Sequence, residues 1–215
     1  MQTIPLKRGV NVDLLTELKK LLKKNLEGKD IKPSLSSLEK VQSQRDKIIR
    51  ITEYQGPNDI TDYKCYFSYL NQIEAAFPLS GTKAAPINWS WAVCYGKSKT
   101  VIRSILYEKA CVLFNIGALY TQAAFLAINV QEPDIIACEV CIDALSFAAL
   151  YFHTLDVQYA MHLASLGVSK DLTSPVLKTV RFLEFLKSSS NRSASPRPST
   201  PISSKPRSPS SPTRR

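Results

Sequence analysis

From Ala110 to Gln131 the chain carries no charged residue. A run of that length crosses a bilayer, lines a cofactor, or sits at the centre of a packed core. A membrane span needs about 20 mostly apolar residues to cross a hydrocarbon layer of roughly 30 Å. The run is long enough, but it holds Asn115, Thr121, Gln122 and Asn129. Each of these is costly in lipid unless a neighbouring helix satisfies it. The next stretch, DIIACEVCIDALSFAALYF, is similarly apolar and is interrupted by Glu139 and Asp143. Two adjacent helices that are apolar nearly all round are what the middle of a helical bundle requires. The residues therefore point to a soluble core and a mainly α fold. One long helix is expected from Arg103 to about Asn129, and a second from roughly Asp134 to Leu155.

The flanking sequence supplies the partners. Leu14, Leu15, Leu18, Leu21 and Leu22 fall on one face of a helix, with Lys19, Lys20, Lys23 and Lys24 on the other. Such a helix suits a membrane surface or a partner, but a packed helix with a solvated basic face is the commoner case. Pro33 and Ser34 mark the start of a second helix, with Ser34 as N-cap and Leu35, Leu38, Val41, Ile48 and Ile49 near helical spacing. After the break at Gly56 and Pro57, Asp59 or Thr61 is placed to cap a third. That helix bears a stripe of Tyr63, Tyr66, Phe67, Leu70, Ile73 and Phe77. INWSWAV alternates Ile87, Trp89 and Trp91 against Asn88 and Ser90, which reads as a short strand, and the opening MQTIPLKR is a candidate to pair with it. Thr173 or Ser174 followed by Pro175 opens a last helix with Val176, Leu177, Val180, Leu183 and Leu186 on one face.

Candidate chemistry is sparse. Cys138 and Cys141 form a C-x-x-C followed by His153 and His162, but the two histidines are too far apart for the usual zinc spacing. A redox pair needs a strand–helix junction, and these cysteines lie within a helical pattern. They read better as small apolar side chains in a helix interface. Five cysteines without framework spacing, and no apolar leader, suit free thiols in a reducing cytoplasmic setting. There is no glycine-rich phosphate loop, no nucleophile elbow and no paired-carboxylate spacing. No catalytic residue, cofactor or metal is assigned, and an enzyme is not expected.

Beyond Lys187 the character changes. Residues 188–215 hold six prolines, six basic residues and no acidic one, so of the net charge of +10 only +4 belongs to residues 1–187. This tail buries too little apolar surface to offset the entropy of ordering and is expected to be disordered. A basic tail suits nucleic acid or anionic lipid, but a solvated linker is more common, and no nucleic-acid partner is expected. Ser195, Thr200, Ser208 and Ser211 each precede proline and are candidate phosphorylation sites, each adding about −1.5 to −2 charges. Pro209, Pro212 and Arg214 fit P-x-x-P-x-R, a peptide pattern for polyproline-reading domains.

Ser104 to Ala124, SILYEKACVLFNIGALYTQAA, closely resembles the defining helix of the BRO-one domain family of Alix-type endosomal adaptors. The matching positions are Tyr107, Glu108, Lys109, Ala110, Cys111, Val112, Leu113, Phe114, Asn115, Ala118, Leu119, Thr121 and Gln122. IPLKRGVNVDL, YLNQIEAAFP and INWSWAV resemble the family's flanking segments in the same order. The resemblance implies a partial domain over residues 1–187, a curved, solenoid-like helical bundle with a small N-terminal sheet, followed by the tail. It implies a non-enzymatic adaptor in endosomal sorting, cytoplasmic and at most peripheral to the endosomal membrane. The partner implied is a Snf-type ESCRT-III subunit, bound through a helical peptide. The family's later helices are expected to be missing, which sets two alternatives: a signalling scaffold acting through a phosphorylatable Pro-rich tail, or a truncated isoform without ESCRT-III binding. In a solenoid each hairpin buries its face on the next. The stretch 134–187 should then present an uncovered apolar surface.

Overall fold

The computed structural model describes residues 3–25, 32–77, 79, 87–92, 98–129, 135–165 and 167. Among them, helix α1 spans Leu14–Asn25, α2 Lys32–Ile48 and α3 Pro57–Ala76. Strands β1 (Trp89–Ala92) and β2 (Lys99–Ile102) follow, then α4 (Ile105–Ile128) and α5 (Ile135–Ser165). The predicted last helix and the tail lie outside the described residues.

The leucines of α1 pack as their helical spacing demands. Leu14, Leu18 and Leu22 of α1 are buried, while Lys20 and Lys23 are exposed. The Gln42 side chain of α2 closes the open N-terminus of α1. Its Oε1 accepts from the Leu14 and Leu15 amides at 2.8 and 3.3 Å, and its Nε2 donates to the Val12 carbonyl at 3.2 Å. A helix start leaves such amides without intrahelical partners.

Three boundaries differ from the sequence expectation. Helix α2 opens at Lys32, so Ser34 lies inside it and is not the N-cap. Pro33 sits in the first turn, where its missing N–H costs nothing. In α3 the cap position is Gly56. Asp59 serves from inside the first turn, its carboxylate accepting from the Gln55 and Gly56 amides at 2.6 and 3.2 Å. Thr61 instead donates to the Pro57 carbonyl at 3.2 Å. Helix α5 runs on to Ser165, well past Leu155, because no glycine or proline interrupts it. Gly167, at φ 73°, takes up the left-handed conformation that ends helices, and its amide bonds the Ala164 carbonyl at 3.0 Å.

The two strands are antiparallel, with Trp89 opposite Ile102 and Trp91 opposite Thr100. The opening segment does lie along β1, as expected, but through Arg8 to Val10. Gly9 bridges Trp91, the Val10 amide bonds Ser90 O at 3.0 Å, and the Ala92 amide bonds Arg8 O at 2.9 Å. Residues Ile4 to Lys7 leave the sheet for other partners, described below. Trp89 and Trp91 are buried against the helices, while Val101 of β2 faces outward.

Helices α4 and α5 form an antiparallel pair. Ser104 meets His162 at one end, Phe114 and Phe152 pack at a centroid distance of 5.8 Å in the middle, and Tyr120 stacks on Phe147 further along. Gly117 makes this closeness possible: a Cβ there would lie 2.7 Å from the Phe152 ring. The core thus surrounds α4, with α3, β1, α5 and the N-terminal segment around it.

Candidate protein-interaction surface

The polar residues of α4 are the ones that weigh against a lipid environment, and every one in the interior has a partner. Glu108, Asn115 and Gln122 are spaced by seven and so share one face of the helix. The Glu108 carboxylate is fully buried and accepts from Arg45 Nε at 3.1 Å, from the Tyr66 hydroxyl at 3.0 Å, and from the Trp91 indole N–H. Arg45, also fully buried, donates through Nη1 to the Val10 carbonyl at 2.8 Å and lies beside the Trp89 ring. Burial draws the Arg45 guanidinium down, but Glu108 and Tyr66 together outweigh it and the net shift is upward. Burial, reinforced by Glu108, pushes the Tyr66 phenol well above its ordinary range.

One turn-pair along, Asn115 forms a two-way clamp on Lys7. Its Oδ1 accepts the Lys7 amide at 2.8 Å and its Nδ2 donates to the Lys7 carbonyl at 2.9 Å. Nδ2 also donates to the Tyr63 hydroxyl at 3.0 Å, which donates to the Ile48 carbonyl at 3.2 Å. Gln122 repeats the pattern, donating to Ile4 O at 2.9 Å and accepting the Tyr54 amide at 2.8 Å. Thr121 accepts the Ile4 amide at 3.4 Å. Asn129 is exposed at the helix end. The side chains of α4 thus do for residues 4–7 what a neighbouring strand would otherwise do. A buried charge pair contributes only when its remaining hydrogen bonds are met, and this cluster meets nearly all of them. Arg45 Nη2 is the one buried side-chain nitrogen or oxygen left without a partner among the described residues. These groups are buried and hold the scaffold together, away from any open surface.

The surface that remains open is on α5. One side, through Cys141, Ala144, Leu145, Ala148, Phe152, Leu155, Tyr159 and Leu163, is buried on α4. The other presents Ile136, Val140, Phe147, Leu150, Val157 and Met161 to solvent, with Met161 89% exposed and Val157 65%. Their steps of three, four and seven residues place them on one side of the helix, which Asp143 and Thr154 share. The charged residues of α5 are all acidic: Glu139, Asp143 and Asp156, each exposed. A mostly apolar exposed face that also carries charge of one sign has the composition of interaction surfaces. This agrees with the expected uncovered face between 134 and 187, as far as Ser165. No single residue of the stripe was legible in advance, because α5 reads as apolar on all sides.

The C-x-x-C pair is split by the helix. Cys141 is buried against Ala124 and Ala144, as a core residue, but Cys138 is exposed and is not in the interface. His153 is exposed, and His162 Nε2 lies 3.2 Å from Ser104 Oγ. No group of three metal-ligating side chains occurs among the described residues. Ser195, Thr200, Ser208, Ser211, Pro209, Pro212 and Arg214 lie outside the described residues.

Comparison with known proteins bears on the scaffold. The chain is 24% identical over 180 residues to the ALG-2 interacting protein X of Dictyostelium discoideum, covering 84% of this chain and 22% of that protein. It is 26% identical over 130 residues to the Programmed cell death 6-interacting protein of Xenopus laevis, covering 57% and 15%. A mouse tyrosine-protein phosphatase non-receptor type 23 matches at 23% identity over 60% of this chain and 7% of its own length. The chain therefore spans less than a quarter of the curated relatives it matches. Among solved structures, the ALIX BRO1 CHMP4C complex superposes with a TM-score of 0.69 at 20% identity, over 89% of this chain and 57% of that one. The family model for the BRO1-like domain matches residues 1–186, and the chain belongs to that family.

Proposed function

We propose that this protein is a non-enzymatic endosomal adaptor that seats an amphipathic helix of a Snf-type ESCRT-III subunit on the open face of α5. The observation that carries the reading is the exposed, mostly apolar face from Ile136 to Met161, backed by the packed α4–α5 pair. A helix laid in such a surface is read through apolar anchors at three- and four-residue steps. The acidic residues Glu139 and Asp143 on that face favour basic residues on the partner. Family membership supports the adaptor role, and the solved neighbour is itself a complex with CHMP4C. The reading places the protein in the cytoplasm, recruited to endosomes. The test is titration of the full chain with the C-terminal helix of a Snf-type subunit. Saturable binding that Leu150→Asp weakens at least about tenfold supports it, since an apolar anchor carries about 1.4 kcal/mol or more. No binding at high micromolar concentration rejects it.

The tail supports a second role on its own sequence pattern. Pro209, Pro212 and Arg214 fit a polyproline-helix ligand, and phosphorylation of Ser195, Thr200, Ser208 and Ser211 would neutralise or reverse the tail's positive charge. Capture by a polyproline-reading domain that survives Pro212→Ala removes this role.

A further inference from the structure

Where α3, α4 and α5 meet, three aromatic rings stack at the surface. Phe147 and Tyr151 of α5 flank Tyr120 of α4, with centroid distances of 5.1 and 5.8 Å and interplanar angles of 24° and 20°. Lys64 of α3 lies against all three, its Nζ within 5.2 to 5.9 Å of each centroid. That ammonium donates to the Tyr120 hydroxyl oxygen at 2.8 Å. Burial draws its pKa down, but the Tyr120 hydrogen bond and the proximity of Tyr151 outweigh this, and the net shift is upward. Lys64 is exposed, and it has no ion-pair partner among the described residues.

The hydrogen-bond accounting of this cluster is lopsided. An ammonium has three donors and no acceptor, and a phenol that accepts still has its own O–H to give. Lys64 also hydrogen-bonds the Tyr151 hydroxyl. With both phenol oxygens accepting from Lys64, each phenol still has its own O–H to give and the ammonium keeps a third proton. No carboxylate pairs with Lys64 among the described residues. Next to this point Phe147 and Leu150 offer exposed apolar surface.

We propose that Lys64, Tyr120 and Tyr151 form a carboxylate-reading site, and that its ligand is an acidic side chain of a helix seated against Phe147 and Leu150. The charge count selects a carboxylate over a phosphate. The site holds one cation, and the charged residues of the adjoining helix, Glu139, Asp143 and Asp156, are all acidic. A single negative charge is balanced by Lys64, whereas a doubly charged phosphate would be left with excess charge facing acidic residues. The site also sets direction. A helix with basic residues along the acidic part of α5 and one acid at Lys64 has one orientation that satisfies both. The helix in question is the partner proposed above, and the proposal rests on that reading for its ligand, though not for the anion site itself.

Two measurements on the full chain separate the two claims. In the first, acetate replaces chloride at constant ionic strength while the ring signals of Tyr120 and Tyr151 are followed by NMR. A saturable shift is expected, weaker with inorganic phosphate and lost in Lys64→Gln. No saturable shift, or one unchanged in Lys64→Gln, overturns the site. In the second, the C-terminal helix of a Snf-type subunit is titrated with each of its acids changed to the amide in turn. One such change should weaken binding about fivefold, the scale of an exposed charge pair, and have no effect on Lys64→Gln. Binding without that coupling overturns the carboxylate ligand and leaves the adaptor reading intact. Absence of peptide binding together with a saturable acetate shift rejects the adaptor reading and keeps the anion site. Lys64 is an exposed helix residue, so Lys64→Gln should retain the far-ultraviolet spectrum of the parent chain.

Discussion

At the scale of single residues, the defining helix is explained by its buried polar side chains. Glu108 was recognisable in the sequence as part of a family pattern, but its work lies in joining residues far apart in the chain: Arg45, Tyr66 and Trp91. Glu108→Gln leaves the Arg45 charge buried without its counter-charge and should cost about 3–5 kcal/mol, read from urea unfolding. Adding Arg45→Met should recover much of that loss, because the uncompensated charge goes with it. The tyrosines around this cluster give the fold an alkaline limit. Tyr63 and Tyr66 are raised above their ordinary value of about 10 by burial. Their contribution to stability is complete below the unfolded value and is lost as pH rises from there towards the folded values. Unfolding should therefore set in above about pH 10, with tyrosinate absorbance rising together with loss of helical ellipticity. Tyrosinate forming well before helix loss would show that these phenols are free to ionise in the fold.

At the scale of elements, two helices of similar character have opposite fates. Both α4 and α5 are long and apolar enough to cross a membrane by length and composition. Yet 61% of the most apolar stretch of α4 is buried within the protein, against 28% for α5. The contact between them is sensitive where the backbones are closest. Gly117→Ala would place its Cβ 2.7 Å from the Phe152 ring. Phe152 is itself buried, so the ring has no free space to enter, and the substitution should cost about 1–3 kcal/mol, seen as a lower thermal midpoint. The outer face of α5 should behave differently. Val157→Asp is expected to change stability by no more than about 0.5 kcal/mol, whereas Leu155→Asp, one turn-face away and buried, should prevent folding or nearly so. Equal effects of the two in thermal melts would mean that the stripe is covered. The helix ends show where local reading stops. Asp59 and Pro33 were visible as start signals, but the amides of α1 are closed by Gln42 from another helix, which no local pattern contains.

At the scale of the whole molecule, the charge and the core are in separate places. Deleting residues 188–215 removes six of the positive charges and no aromatic residue. The thermal midpoint should stay within about 2 °C, while salt-dependent binding to anionic surfaces falls. A large loss of stability on that deletion would show the tail packing on the domain. The periodicity of the sequence by itself determined that the chain is mainly helical, which faces of α1, α2 and α3 are apolar, and where a short strand falls. The ordered match of Tyr107 to Gln122 determined the family. Tertiary structure alone decided that Asn115 and Gln122 hold the N-terminal segment, that Cys138 and Cys141 part company, and which residues of α5 stay open. The reason is that hydropathy measures what a helix would gain by burial. Whether it is buried depends on how many elements reach it, and α4 is surrounded by α3, β1, α5 and the N-terminal segment while α5 leans on α4. An apolar residue on an enclosed helix becomes core, and the same residue on an outer helix becomes a surface for something else.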